Sequence, residues 1–444
     1  MAQMNEQLDR TAEAAERYIE EHFFGDIGRH YCGMRVGEGA DSGGEITADQ
    51  YREGATPAPP TRGILYAFFD LRTGKPFPRE FITPNKVPRR ADIDPWAYWT
   101  YENTIENMGM YFDALVRKYE VTGDAGCLDR CAELWLTVRD IYYASQVYGI
   151  GSFLRPYGGF ERMGQFAEPL GTDQAAPLLH GLYGYSKYAP AWIRDEIADI
   201  MVKTLTWYEQ QNFRYFYYKT LTHAWEIDLP CGWPHAASYY LPAIAFAWKV
   251  TGDPRWQRHL NEKLKLFADP RYDIYRALHW GSDLPVLKEL LGDRFDDVFT
   301  RKVLDRGHTI CRDLVATYTE PGLVRRIFPE SAQPGFKPYK KPFDRATDPM
   351  GFAYFAWVHQ GRDMPMAERQ FTCGMAAIGY PGAYEEAMPL MLCRKRVPED
   401  FSQGLLFEDA DALPEEVHLY AYSVGSVLFE WLRDYWMLRG CSPA

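Results

Sequence analysis

The sequence lacks the motifs of several common enzyme classes. It contains no G-x-S-x-G, no H-E-x-x-H, no P-loop and no G-x-G-x-x-G in a strand–helix setting. Their absence excludes the serine-hydrolase elbow, the zinc-protease helix and the nucleotide-binding loops that those motifs build. The eight cysteines form no C-x-x-C pair, so we expect reduced thiols rather than a zinc site or a disulfide framework. No metal and no cofactor are predicted.

Basic residues are fewer than acidic residues, and long apolar runs are missing. The net charge is −12 and the pI is about 5.4, which argues against nucleic acid and against an anionic membrane surface as partners. No stretch approaches the 18 apolar residues of a membrane span. The polar, amphipathic N-terminus does not resemble a signal peptide. The sequence therefore predicts a cytoplasmic protein that binds neither nucleic acid nor membranes.

Aromatic residues are abundant. They make up 16% of the chain, and apolar residues in general make up 46% of its 444 residues. Most of the aromatic side chains belong to a large core, in one closed architecture or in two packed domains. The others are suited to binding sugars, because a flat ring matches the apolar C–H face of a sugar ring.

Hydrophobic periodicity predicts an all-α protein. A helix is expected at 5–23, an irregular stretch at 25–62 and a small β-hairpin at 64–82. We divide the chain into an N-terminal part, 1–95, that packs on a helical catalytic domain, 96–444. Twelve helices are predicted in the second part: 97–121, 125–146, 173–188, 191–212, 235–251, 254–268, 283–291, 295–318, 349–359, 363–379, 383–393 and 415–438.

Thr-Gly-Asp turns organise these helices into hairpins. In turns 122–124 and 251–253, the glycine suits the left-handed position that ends a helix, and the aspartate suits the cap of the next one. Twelve helices in hairpins with long, varied return loops predict an (α/α)6 toroid, a six-hairpin barrel. An open helical solenoid is the competing architecture, although its repeats are usually short and regular. Long loops on one face of such a scaffold are where sites are built.

Three segments resemble one family of carbohydrate enzymes. They are ENMGMYFDALVRKYEVTGD at 106–124, LGTDQAAPLLHGLYGYSKYA at 170–189 and CGWPHAASYYLPAIAFAWKVTGD at 231–253. They are similar to motifs of the unsaturated glucuronyl hydrolases and the unsaturated rhamnogalacturonyl hydrolases. The family's first aspartate corresponds best to Asn107, and its W-x-R-G pattern appears here as WPHA at 233–236. The resemblance implies an (α/α)6 barrel, an oligosaccharide substrate containing a uronic acid, and a catalytic acid/base at Asp173.

Asp173 opens a predicted helix, where a carboxylate is also a favourable cap. Glycosidases commonly use two carboxylates, one protonated and one ionised. If the substrate is an unsaturated uronide, one acid is enough to protonate the vinyl ether and to activate water. Arg155 suits a uronate carboxylate, since its guanidinium binds both oxygens. The candidate partners of Asp173 are Glu102, Glu106, Glu226 and Asp228, the last two in a segment interpreted as a loop.

His235 is a third catalytic candidate. With Tyr239 or Tyr240 one turn later it is suited to proton abstraction, which leaves a polysaccharide or oligosaccharide lyase open beside the hydrolase. A sugar epimerase and a non-enzymatic helical-repeat binding protein are further alternatives. Asp283 is interpreted as a helix cap. The predicted substrate-binding residues are Asn107, Arg155, Tyr157, Trp225, Trp233, Tyr239 and Trp280.

Overall fold

The computed structural model describes most of the predicted helices. The described residues are 2–20, 69–70, 75–76, 104–155, 169–213, 215–220, 223–227, 234–267, 280–298, 363–391 and 426–441. They are mostly helical, so the all-α prediction is confirmed for this part of the chain. Within the same ranges, no helix combines the length and the apolar character needed to cross a membrane.

Most of the described helices begin and end within five residues of the predicted bounds. Three predicted helices are described only in part: 97–121 from Thr104, 295–318 as far as Val298 and 415–438 from Ser426. The predicted helix at 349–359 lies outside the described residues. The helices are α1 Ala2–Tyr18, α2 Thr104–Thr122, α3 Gly126–Val147, α4 Thr172–Ser186, α5 Ala191–Gln210, α6 Pro234–Thr251, α7 Pro254–Phe267, α8 Trp280–Leu291, α9 Arg294–Val298, α10 Asp363–Ala377, α11 Ala383–Met391 and α12 Ser426–Gly440.

The even-numbered helices contact one another in a circuit. Helix α2 packs on α4, α4 on α6, α6 on α8, α8 on α10, α10 on α12, and α12 returns to α2. Each even-numbered helix also contacts an odd-numbered one: α2 with α3, α4 with α5, α6 with α7, α8 with α9, α10 with α11 and α12 with α1. Every residue of α2 from Thr104 to Val116 is buried, as expected for a helix surrounded by others.

Helices α2, α4 and α12 run in the same direction. Gly109 of α2 lies against Leu178 of α4, and further along Val116 lies against Gly184. On the other side of α2, the rings of Tyr111 and Phe429 are 5.5 Å apart, and the far end of α2 meets the far end of α12. The N-terminal ends of α2, α4 and α12 therefore lie at one end of the bundle.

The two Thr-Gly-Asp turns have the same structure. The glycines have the predicted positive φ, +71° at Gly123 and +65° at Gly252. In both turns the threonine Oγ1 accepts a hydrogen bond from the aspartate N–H at 3.2 Å. The aspartate Oδ1 then accepts one from the N–H two residues on, at 3.0 and 2.9 Å. These turns join α2 to α3 and α6 to α7, at the C-terminal ends of the two even-numbered helices.

Helix α1 packs on α12 through a predicted apolar stripe. The polar side of α1 makes hydrogen bonds as well: Asp9 accepts one from Tyr435 at 2.6 Å, and Glu16 accepts one from Trp436 at 3.0 Å. Glu16 also binds Lys118 of α2 at 2.7 Å. Helix α1 therefore contacts both the first and the last helix of the circuit. The buried stripe consists of Leu8, Ala12, Ala15, Tyr18 and Ile19.

Two short antiparallel hairpins accompany the helices. Within the predicted hairpin at 64–82, β1 (Phe69–Asp70) pairs with β2 (Lys75–Pro76). A second hairpin, β3 (Tyr215–Thr220) and β4 (His223–Ile227), has an irregularity between Tyr218 and Thr220. The interpretation of 222–228 as a loop was therefore wrong for most of that segment. The aromatic run in β3 favours a strand, because such side chains fit a pleated surface.

Four cysteines lie among the described residues, and all four are free thiols. Burial is the main cause that raises the pKa of Cys127 to about 11, and Asp124 adds to it. We expect iodoacetamide at pH 8 to alkylate Cys127 about 100-fold more slowly in the folded protein than in denaturant, because only the thiolate reacts. Site-resolved mass spectrometry measures both rates. Equal rates in the two states would contradict the burial of this thiol.

Candidate active site

The N-terminal ends of the even-numbered helices are the candidate site. Long connections lead into these ends, at 148–171 before α4 and at 211–233 before α6, whereas turns of two to four residues leave the opposite ends of α2, α4 and α6. Asn107 is the fourth residue of α2, while Asp173 and His235 are each the second residue of α4 and α6. The first turns of three consecutive helices of the circuit therefore each contain one predicted site residue.

Helices α2 and α4 approach each other closely just below this end. A Cβ built at Gly109 would overlap the backbone of Leu178, and one at Gly181 would overlap the carbonyl oxygen of Gly109. With Gly109 against Leu178, position 173 on α4 is level with Thr104 on α2. The start of α4 is thus held against the start of α2 by backbone contact.

The described side chains near the starts of α2 and α4 are buried. Asn107 is 0% exposed and Glu106 is 8% exposed, although both residues are polar. On α4, Gln174 and His180 are also buried. The helical repeat places position 173 on the same face of α4 as His180, seven residues further on. The side chain of Asp173 lies outside the described part of the structure. Gly171 is the N-cap of α4 and makes no side-chain cap.

Arg155 lies next to the beginning of α4. Its neighbour Leu154 forms an isolated antiparallel bridge with Pro169, and Leu170 donates a backbone hydrogen bond to Phe153 at 3.0 Å. The Arg155 side chain is 2% exposed. The structure therefore brings together the start of α4 and the arginine predicted to bind a uronate.

Tyr239 belongs to the core between α4, α5 and α6. Its ring packs on Tyr208 of α5, with 5.5 Å between the ring centroids, and on Tyr240 at 5.2 Å. Burial, with a smaller effect of Tyr208, raises the pKa of Tyr239 well above its ordinary value. The phenol stays protonated at neutral pH, so this environment favours a packing role for Tyr239.

A small apolar cavity lies beside Tyr239. Its volume is about 20 Å³, which is room for about one water molecule. The cavity lies between α4, α5 and α6, and its lining reaches the first turn of α4 at Ala175. A sugar ring does not fit in it. The residues that line it include Ala175, Leu178, Leu182, Met201, Thr204 and Tyr239.

Other predicted site residues lie elsewhere or outside the described part. Glu226 and Trp225 are on strand β4, where Glu226 pairs with Phe216 and Trp225 with Tyr217. Trp280 is the first residue of α8, so Asp283 is inside that helix and the interpretation as its cap was wrong. Side chains outside the described part include those of Glu226, Trp225, His235 and Trp280. Tyr157 and Trp233 lie outside it entirely.

Sequence reasoning missed a buried group of charges on α10 and α12. Arg369 of α10 is paired with Asp434 of α12 at 2.7 Å. Arg433 is also buried; burial lowers the pKa of Arg433, but Asp434, Glu430 and Asp113 outweigh it, so that pKa is raised overall. The available signal was the run of charged residues in an otherwise apolar segment, FEWLRDYW at 429–436.

Metal-ligating side chains do not gather in the described ranges, which contain no group of three or more His, Cys, Asp or Glu residues arranged to hold an ion. The candidate site therefore consists of helix ends, buried polar side chains and Arg155. Comparison of the chain with protein-family models, with curated proteins and with solved structures found no match.

Proposed function

We propose that the chain is a glycoside hydrolase that acts on oligosaccharides containing a uronic acid. The active site lies where the N-terminal ends of α2, α4 and α6 meet, with Asp173 as the catalytic acid/base. The observation that carries the proposal is that Asn107, Asp173 and His235 lie in the first turns of three consecutive helices that contact one another in order.

The proposed architecture is an (α/α)6 toroid. The contacts of α2, α4, α6, α8, α10 and α12 support it, because they return to their starting helix. The odd-numbered helices pair with them from outside, and α1 supplies the partner of α12. An open solenoid would leave its first and last repeats apart. In a toroid the long connections surround a central funnel, which is a suitable place to bind a sugar chain.

In the proposed reaction, Asp173 protonates the substrate and directs a water molecule to it. With a 4,5-unsaturated uronide, the proton adds to C4 of the vinyl ether, and water adds at C5, the carbon that bears the ring oxygen. The hemiketal that results opens the ring to a ketone, and the hemiacetal that this leaves at C1 breaks down and releases the second sugar. Arg155 binds the uronate carboxylate. Glu106, buried at the same end of the bundle, is the nearest described candidate for a second carboxylate.

The test is a panel of saturated and unsaturated uronide disaccharides incubated with the purified protein. We expect the ultraviolet absorbance of an unsaturated disaccharide to fall while a free sugar appears, because hydrolysis destroys the double bond. A saturated uronide oligosaccharide is the matched control, and a rise of absorbance with it would indicate a lyase instead. If no substrate changes in absorbance and no sugar is released, the proposed function is wrong.

A further inference from the structure

The small cavity beside Tyr239 has room for one very small ligand. Its volume is about 20 Å³, whereas a buried water molecule needs roughly 10–15 Å³. A sugar ring is far larger, so this ligand is not the substrate of the proposed site. The cavity is therefore suited to a molecule of about the size of water.

Three side chains with hydroxyl groups interrupt the otherwise apolar lining of this cavity. Thr204 lies on α5, Ser152 lies in the connection that leads into α4, and Tyr239 lies on α6. All three side chains are buried. A ligand in the cavity therefore contacts residues from three different segments, each of which can exchange hydrogen bonds with it.

The Thr204 hydroxyl has no hydrogen-bond partner among the described residues. Thr206, two residues further along α5, shows the usual arrangement for a threonine in a helix, because its Oγ1 donates to the carbonyl oxygen of Val202 at 2.8 Å. A buried hydroxyl without a partner destabilises the folded state. An acceptor atom inside the cavity would remove that penalty.

Ser152 offers an acceptor to the same ligand. Its own hydroxyl proton is already used, since Ser152 Oγ donates to the Tyr208 hydroxyl oxygen at 3.3 Å. Tyr208 in turn donates to the carbonyl oxygen of Leu170 at 3.0 Å. Ser152 Oγ can therefore accept a further hydrogen bond. The chain of hydrogen bonds ends one residue before Gly171, the N-cap of α4.

We propose that one water molecule occupies this cavity, where it accepts a hydrogen bond from Thr204 and donates one to Ser152. Water has the required size and donates and accepts at once, whereas an apolar ligand would leave the Thr204 hydroxyl unsatisfied. The water extends the hydrogen-bond chain through Tyr208 to α5. It thereby connects α5 to Leu170, directly before the helix that carries Asp173. This site does not depend on the proposed function.

The direct test is a high-resolution crystal structure of the full chain. We expect one water molecule within hydrogen-bond distance of Thr204 Oγ1 and Ser152 Oγ. Thr204→Ser keeps the hydroxyl and is expected to keep the water, whereas Thr204→Val replaces the hydroxyl with a methyl group and is expected to lose it. Thr206→Val is the matched control on the same helix. It is expected to keep the water, because the Thr206 hydroxyl donates to its own helix.

Urea denaturation of the same variants gives an independent result whose sign decides. If the water is bound, Thr204→Val removes a hydrogen bond that the folded state contains, and we expect the equilibrium constant of unfolding to rise about fivefold. If the cavity is dry, the same substitution removes an unsatisfied buried hydroxyl, and that constant falls instead. The variants are compared under conditions in which they share one slope.

The proposal is overturned if the wild-type cavity contains no water, if Thr204→Val retains the water, or if Thr204→Val lowers the equilibrium constant of unfolding. If the variants do not crystallise, the sign of the urea result alone decides. Neither measurement involves the turnover of a uronide, so a failure of the proposed function would leave this result unchanged.

Discussion

The Asp173→Asn variant is expected to hydrolyse an unsaturated uronide disaccharide about a thousandfold more slowly than the wild type. A positioned general acid/base contributes roughly 10²–10⁴ to the rate, and an amide neither donates a proton to the substrate nor accepts one from water. The turnover number is measured from the fall in ultraviolet absorbance at saturating substrate. We expect the substitution to lower the turnover number itself, because the proton moves only in the transition state.

A lower stability of the Asp173→Asn variant is not expected to explain its lower turnover number. Asp173 is the second residue of α4, and a charge there interacts with the helix dipole by about 0.3–1 kcal/mol. Asp195→Asn is the matched control, because it makes the same chemical change on an exposed side chain of α5. Wild-type rates in Asp173→Asn, or an equal loss in Asp195→Asn, would refute the role assigned to Asp173.

Gly109→Ala and Gly181→Ala are each expected to destabilise the protein by about 3 kcal/mol or more. The new methyl groups would overlap backbone atoms of the facing helix, and backbone cannot move aside as a flexible side chain can. The helices must separate instead, which costs packing along the whole α2–α4 contact. The free energy of unfolding is measured by urea denaturation, under conditions in which all variants share one slope.

Gly184→Ala is the matched control on the same helix. Its Cβ would lie 3.4 Å from Cγ1 of Val116, which is an ordinary contact. Alanine is better than glycine inside a helix by roughly 0.5–1 kcal/mol, so this variant is expected to be as stable as the wild type or more stable. If all three substitutions had the same effect, the close approach of α2 and α4 would be disproved.

The helices could be predicted from the sequence because each one carries its own signals. The 3.6-residue period gives the span, and the Thr-Gly-Asp turns give the ends, since the left-handed glycine and the capping aspartate act within a few residues. The hairpin of β3 and β4 was missed. Its aromatic residues 215–218 were not recognised as a strand, and its partner segment looks polar.

The candidate site could be predicted only in part. Asp173 and His235 were recognisable as helix starts, whereas Asn107 was predicted to lie inside a helix at 97–121. The circuit of contacts brings their three helices together. Tyr239, one turn after His235 on the same helix, was predicted to bind substrate, but its ring lies in the core beside Tyr208. The pairing of Arg369 with Asp434 joins positions 65 residues apart in the sequence. No local sequence pattern predicts a contact at that separation.

The position of α1 has a consequence for how the molecule forms in the cell. Tyr435 and Asp9 are 426 residues apart in sequence, yet the Tyr435 hydroxyl donates a hydrogen bond to the Asp9 carboxylate. While the ribosome is still making the intervening chain, the apolar stripe of α1 and one side of α2 have no surface to cover them. Contacts so distant in sequence form slowly, and exposed apolar surface invites aggregation. The apolar stripe of α1 can therefore be covered by α12 only after almost the whole chain has been synthesised.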